Sequence, residues 1–324
     1  MPFVGAEEYG FEEIYLIPNR CVASSREECN PSQLFGGRSF KSGVIAANMS
    51  SVVNKETCEY LSSKGMFYIM HRFQGTNLSD FIEHMQGLGH IASISVGVNQ
   101  ESKDGLIEAK NRGLVPEYIT VDIANVFSVK GDEAILFIKD NFPESFLIAG
   151  NCATWSAVQY LTGLGVDCVK VGISNGHVCE TYTATGFGRP QFSTVLDCCK
   201  EAQVPIISDG SIRNIGDISK AFVAGATMVM AGNLFSGYEQ SAGEVIEIDG
   251  KRYKQYFGSA SYNNTRNKKN IEGKCILVEY KNDMQKLLWD IDDGVRSSIS
   301  YAGGLDLRAF RCVKWGVRNG GVQR

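Results

Sequence analysis

Residues 168–191 read CVKVGISNGHVCETYTATGFGRPQ. The stretch begins as a short β-branched run, then breaks into a Gly-containing loop that carries Cys179 and, two residues on, the hydroxyl of Thr181. A strand that ends in such a loop is half of a β-turn-α unit, and loops on rigid scaffolds are where chemistry tends to sit. The same strand signature recurs at 43–48, 67–71, 92–97, 118–123, 146–150, 205–209 and 227–231. Amphipathic segments such as 78–88 and 153–164 lie between. The starts are roughly 22–28 residues apart, with one gap of about 37 residues that holds the Cys179 loop. Eight such units predict an α/β fold, a closed (β/α)8 TIM barrel, rather than an open sheet. An open doubly wound fold usually has fewer strands and a Gly-rich first turn, and no GxGxxG opens this chain.

In such barrels the active site lies at the C-terminal ends of the strands, where this sequence places Asn48, His71, Asp122, Asn151, Ser174, Asp209 and Gly232. Any one of them reads equally well as a helix N-cap; their convergence on one barrel face favours function. From 236 to 281 the pattern changes, with a hairpin-like turn at Asp249-Gly250 and a polar stretch before Gly273. The expectation is one catalytic domain over 1–324, with 236–281 inserted after the eighth strand as a flap; the competing reading is a surface excursion without a role. Helical periodicity returns over 284–298.

The formal charge of -4 and the lack of a long Lys/Arg run give no support for a nucleic-acid surface. The N-terminus has no apolar h-region and no apolar run approaches about 18 residues, so neither a signal peptide nor a membrane span is expected. Ten cysteines without CxxC are expected to stay reduced in a cytoplasmic protein. The four histidines have no ligand spacing, which argues against zinc.

Cys179 is the candidate nucleophile, and Thr181 with Glu272 a candidate proton-transfer pair, the hydroxyl relaying to the carboxylate. Against that role, Glu272 reads equally as an ordinary exposed carboxylate. Gly210-Ser211 and Gly232-Asn233 follow the seventh and eighth strands, where barrels bind phosphate through backbone N–H groups. Asp209 just before could hold a diol such as ribose. Together these residues suggest covalent attack on a phosphorylated small molecule.

Over nearly its full length the chain resembles the inosine monophosphate dehydrogenase and guanosine monophosphate reductase family. The resemblance is carried by Ala46-Ala47-Asn48-Met49, Tyr68-Ile69-Met70-His71-Arg72-Phe73, Val121-Asp122-Ile123-Ala124, Lys170-Val171-Gly172, Cys179-Glu180-Thr181, Ser208-Asp209-Gly210, Met228 to Asn233, Tyr256 to Ser261, Ile271-Glu272-Gly273-Lys274 and Arg296 to Tyr301. Within the family it is most similar to bacterial-type reductases: no regulatory domain pair follows the second strand, Arg266 is followed by Asn267 where dehydrogenases carry an Arg-Tyr pair, and Glu272 is present.

The resemblance implies NADPH-dependent reduction of a guanine nucleotide through a thioimidate on Cys179, with Thr181 and Glu272 protonating the departing amine. It implies Asp209 on ribose, Gly210, Ser211, Gly232, Asn233 and His177 at the phosphate, and Gly258, Ser259, Ala260 and Gly273 around the base. Asp122, Ile123, Ala124, Ser297 and Tyr301, with Ser25 and Arg26, would hold the cofactor beside a neighbouring subunit of a homotetramer. Backbone carbonyls of Ser174, Gly176 and Cys179 would hold a monovalent cation such as K+. No Arg or Lys pocket in the sequence fixes the 2′-phosphate that separates NADPH from NADH.

The usual catalytic loop, G-I-G-P-G-S-x-C, here has Ser174, Asn175 and His177 in place of Gly, Pro and Ser, Val126 replaces a Gly near the cofactor, and Ser211 stands where a second Gly is common. A lost Gly matters where φ must be positive. Besides neutral drift, these departures leave open a shifted substrate such as dGMP or a modified guanine nucleotide. The chain could also be a dehydrogenase running the opposite oxidation with NAD and water, or a catalytically silent nucleotide-binding regulator.

Overall fold

The computed structural model describes residues 7–73, 77–258 and 274–318. Seven strands pair in parallel in the spatial order Val44–Ala46, Met228–Ala231, Ile206–Asp209, Cys168–Val171, Phe146–Cys152, Tyr118–Asp122 and Ser93–Val96. The first and seventh of these are sequence neighbours on either side of 67–70, so the sheet curls into the expected TIM barrel. The predicted strand at 67–71 is the one that differs. It is fully buried but enters the sheet through a single bridge, with Met70 N donating to Ser93 O at 2.9 Å and Ser95 N to Met70 O at 3.0 Å. Phe67 and Tyr68 hold their place by ring packing, Phe67 toward the barrel floor and Tyr68 against Phe81 at 6.2 Å.

Strand ends become helix starts through local capping. Asn54, Asn77, Asn99, Ser128, Thr154 and Asn214 each accept a backbone N–H from three residues on, fixing the entry of six helices around the ring. The segment 153–164 is thus the helix Trp155–Gly163, and 78–88 is Leu78–Gly87. The C-terminal periodicity extends further than 298, to a helix over Gln285–Ala302 that ends at Gly303 with φ 84°.

The floor of the barrel is sealed by a hairpin the strand pattern did not announce, Gln33–Phe35 paired with Arg38–Phe40. Phe35 packs 5.1 Å from the rings of Phe67 and Phe146 and stacks 6.0 Å from Tyr118, whose hydroxyl donates to Phe35 O at 2.9 Å. Tyr118 and Phe146 are the first residues of their strands, so the plug fills the N-terminal end and leaves only the other end open. Ile14–Ile17 and Lys314–Val317 pair antiparallel and tie the two ends of the chain together.

Within 236–281, Val245–Ile248, Lys251–Phe257 and Cys275–Glu279 form a three-stranded antiparallel sheet. Its first turn is the one the sequence marked, with Asp249 at φ 50° and Gly250 at φ 72°. The sheet is fastened to the turn at Ser51, beyond the strand Val44–Ala46. Ser51 Oγ donates to Phe257 O at 2.9 Å and accepts Phe257 N at 3.1 Å, and the buried ammonium of Lys254 donates to the carbonyls of Glu239 and Ser241. Among the described residues no helix is long and apolar enough to cross a membrane.

Candidate active site

The open end holds a cleft of about 970 Å³, at the upper end of the roughly 300–1,000 Å³ usual for ligand sites. A second cavity of about 350 Å³ adjoins it and shares Asp209, Asn175, Gly176 and Tyr256 with it.

Cys179 lines the larger of the two. Its loop leaves the strand Cys168–Val171 through Gly172, at φ 139°, where a Cβ would lie 2.1 Å from Asp209 O. Ser174 follows at φ 69°, the left-handed region where the family's usual Gly costs nothing and a Ser does. What it gains is a cap: Ser174 Oγ accepts Tyr182 N at 2.7 Å at the start of the short helix Thr181–Thr185. Cys179 Sγ then points at Thr181 Oγ1, 3.2 Å away. Asn175, where a Pro is usual, donates to Gln191 Oε1 at 2.6 Å and to Arg189 O at 3.0 Å, binding the loop to the helix Gln191–Cys199.

On the other side of the loop, Lys274 N donates to Val178 O at 2.9 Å and Lys274 Nζ lies 2.9 Å from Glu180 Oε1. Lys274, which leads into the strand Cys275–Glu279, is therefore tied to the residues on both sides of Cys179, to the carbonyl of Val178 and the carboxylate of Glu180. Glu272, Ser259, Ala260 and Gly273 lie outside the described residues.

The cleft floor carries a charged set in which the expected Asp122 and Asp209 are joined by Lys170, whose role sequence reasoning missed. Lys170 Nζ lies 3.0 Å from Asp122 Oδ1 and 2.6 Å from Asp209 Oδ2, with its side chain only 3% exposed. Burial works against the ammonium, but the carboxylates of Asp122 and Asp209 outweigh it and raise its pKa. Asn151 Nδ2 donates to the same Asp209 oxygen at 2.9 Å and to Gly172 O at 2.6 Å. Arg72 Nε donates to Asp122 O at 2.8 Å. The one signal for Lys170 in the sequence was a lysine inside a β-branched run, where a charge needs a partner.

The expected phosphate residues converge on the second cavity: Gly210, Ser211, Gly232, Asn233 and His177 all line it. Two of their donors are already engaged, Ser211 N to Asn175 O at 2.7 Å and Gly210 N to Met230 O at 3.4 Å. Arg213, which sequence reasoning missed, lines the same cavity and brings the positive charge. His177 stacks 6.5 Å from Tyr256, which reaches down from the inserted sheet.

Of the expected cofactor residues, Asp122, Ile123 and Ala124 line the large cleft, which runs on to the helix Gln100–Asn111. There Glu101, Asp104 and Glu108 form its outer wall. Beside Cys179 the inner part offers the amide, ammonium and carboxylate partners a nicotinamide cofactor would need. The outer wall is acidic, and the cation beside it, Arg112, is ion-paired to Glu108 at 3.5 Å. Ser25, Arg26, Ser297 and Tyr301 are not part of this cleft. They lie at the Arg26–Glu28 turn and on the helix Gln285–Ala302, which packs beside that turn through Arg296 and the carbonyls of Glu27 and Cys29.

With this geometry in view, comparison with known proteins is specific. The family model for the IMP dehydrogenase / GMP reductase domain matches residues 8–320. The chain belongs to the IMP dehydrogenase / GMP reductase family. It is 50% identical to the GMP reductase of Chromobacterium violaceum, over 95% of this chain and 97% of the relative. It is 46% identical to the GMP reductases of Staphylococcus epidermidis and Oceanobacillus iheyensis, each over 95% of both chains.

Proposed function

We propose that this protein catalyses the NADPH-dependent reductive deamination of GMP to IMP and ammonia. The observation that carries the reading is the Cys179 Sγ–Thr181 Oγ1 contact of 3.2 Å at the mouth of a barrel of this family. The thiol proton points at a hydroxyl, so Thr181 can accept it and pass a proton on toward the leaving amine. Cys179 adds to C2 of the purine; the 2-amino group is protonated through Thr181 and Glu272 and leaves as ammonia, so that C2 is held to sulfur as a thioimidate. Asp122, Ile123 and Ala124 would hold NADPH, which when bound would supply the hydride that C2 takes up. The C–S bond then breaks, returning the thiolate and releasing IMP. The balance is GMP + NADPH + 2 H⁺ giving IMP + NADP⁺ + NH₄⁺.

The remaining residues bind and orient. Asp209, its Oδ2 held by Lys170 and Asn151, presents Oδ1 to the ribose hydroxyls. Arg213, with Asn233, Gly232 and His177, takes the phosphate, and Gly258, Ser259, Ala260 and Gly273 frame the base. The inserted sheet acts as the flap that excludes water from the intermediate. Ser25, Arg26, Ser297 and Tyr301 reach a cofactor only from a neighbouring copy, which suits a homotetramer and would supply Arg26 where the cleft's own outer wall is acidic. Carbonyls of Ser174, Gly176 and Cys179 are the proposed K⁺ ligands, and the cytoplasm the proposed location.

NADPH oxidation with GMP and with dGMP, each with and without K⁺, tests the reading. Turnover of GMP supports it and makes Ser174, Asn175 and His177 tolerated changes. Turnover of dGMP alone makes them specificity determinants. Silence with both, despite nucleotide binding, would overturn it.

A further inference from the structure

We propose that Lys170 is a positioning residue that couples the nucleotide and cofactor subsites, because one buried ammonium holds a carboxylate from each. The inference rests on the functional reading above, in which Asp209 meets ribose and Asp122 the cofactor.

The geometry is tight. Lys170 sits on the strand Cys168–Val171, beside the strand that ends in Asp209 and one strand removed from the one that ends in Asp122. Its side chain crosses the cleft floor to reach Asp122 at 3.0 Å and Asp209 at 2.6 Å. Two carboxylates thus share one cation in a buried place, and neither can move or lose charge without changing the field on the other. Charges of this kind are costly to bury, and they are kept where they fix geometry or specificity.

The two carboxylates differ in their other support. Asp122 also faces Arg72, whose Nε is 3.9 Å from Asp122 Oδ2. Among the described residues Asp209 otherwise has only the neutral side-chain amide of Asn151. Take the ammonium away and Asp209 loses the cation that orients it, so its carboxylate is less well placed to accept from ribose hydroxyls.

The test is a double-mutant cycle on the full-length protein, with GMP binding read by calorimetry, which needs no turnover. Asp122→Asn touches only the cofactor side, yet it should change the GMP Kd by about three- to tenfold, because it leaves Lys170 wholly to Asp209. In a Lys170→Met background the same Asp122→Asn change should leave GMP affinity at pH 8 nearly unmoved. Lys170→Met alone should weaken GMP by roughly 30-fold or more, with Lys170→Arg restoring most of the affinity. An unchanged GMP Kd in Asp122→Asn, or an equal effect with and without Lys170, overturns the proposal. If Lys170→Met does not fold, the single Asp122→Asn result decides alone. Wild type that binds GMP but never turns it over would sink the functional reading and leave the coupling measurable.

Discussion

Acidification from about pH 7 to about pH 4 should cost this protein about 3 kcal/mol of folding stability through a single side chain, His71. His71 follows the extended segment 67–70 and is 6% exposed. Burial alone pushes its imidazole down from the ordinary 6.5 to about 4. Its Nδ1 accepts Phe73 N at 3.1 Å, which fits the neutral ring. Above 6.5 folded and unfolded chains hold this side chain in the same neutral form, and its contribution is intact. As pH falls below 6.5 the unfolded chain takes up the proton while the folded one refuses it, so stability drops until the folded ring also protonates near 4. At about 1.36 kcal/mol for each pKa step of one, the interval from 6.5 to about 4 is worth about 3 kcal/mol.

His71→Asn keeps an acceptor for Phe73 N–H and removes the titration. Urea denaturation of both proteins between about pH 7 and about pH 4 isolates the difference, since every carboxylate titrates in both. The gap between them should shift in the variant's favour by about 3 kcal/mol, near 1 M in midpoint for an m of about 3 kcal/mol/M. Parallel pH profiles would refute the reasoning.

Three further outcomes are expected from the same geometry. Cys179→Ala should abolish turnover yet leave GMP binding within about twofold, read by calorimetry, because the side chain is half-exposed and removes no buried partner. Gly210→Ala should raise the GMP KM and cost about 1–3 kcal/mol in stability, since Gly210 has φ 99° and a Cβ there would sit 2.8 Å from the Asn175 backbone. Lys254→Met should destabilise by about 1–3 kcal/mol in thermal or urea unfolding, because it strands the carbonyls of Glu239 and Ser241.

The fold was legible because the strand period repeats and each repeat ends in polar residues. The segment 67–71 shows the limit: alternation and length mark a strand, but two large aromatic side chains take its place in the ring by packing rather than by a ladder. The hairpin that plugs the floor was not legible. Its strands are three residues long, and Phe35 gains meaning only once Tyr118 and Phe146, far along the chain, stand beside it. At the site, Cys179 and Thr181 are close in sequence and so were readable together. Lys170 reads as one more residue of a β-branched run, and its partners Asp122 and Asp209 lie 48 and 39 positions away. Arg213, two residues beyond Ser211, had no turn or strand-end signal of its own. The Ser174 departure was readable as a risk, and its φ of 69° is where that risk lies; the compensating cap on Tyr182 N depends on a fold-back that spacing does not reveal.

Reductive deamination is tested most directly by the stoichiometry of one reaction mixture containing the protein, GMP and NADPH, with NADPH oxidation and ammonia followed together. The expected result is one ammonia for each NADPH consumed, IMP as the product, and silence in Cys179→Ala. NADPH oxidised without ammonia, or the same rate in Cys179→Ala, would contradict the proposed reaction.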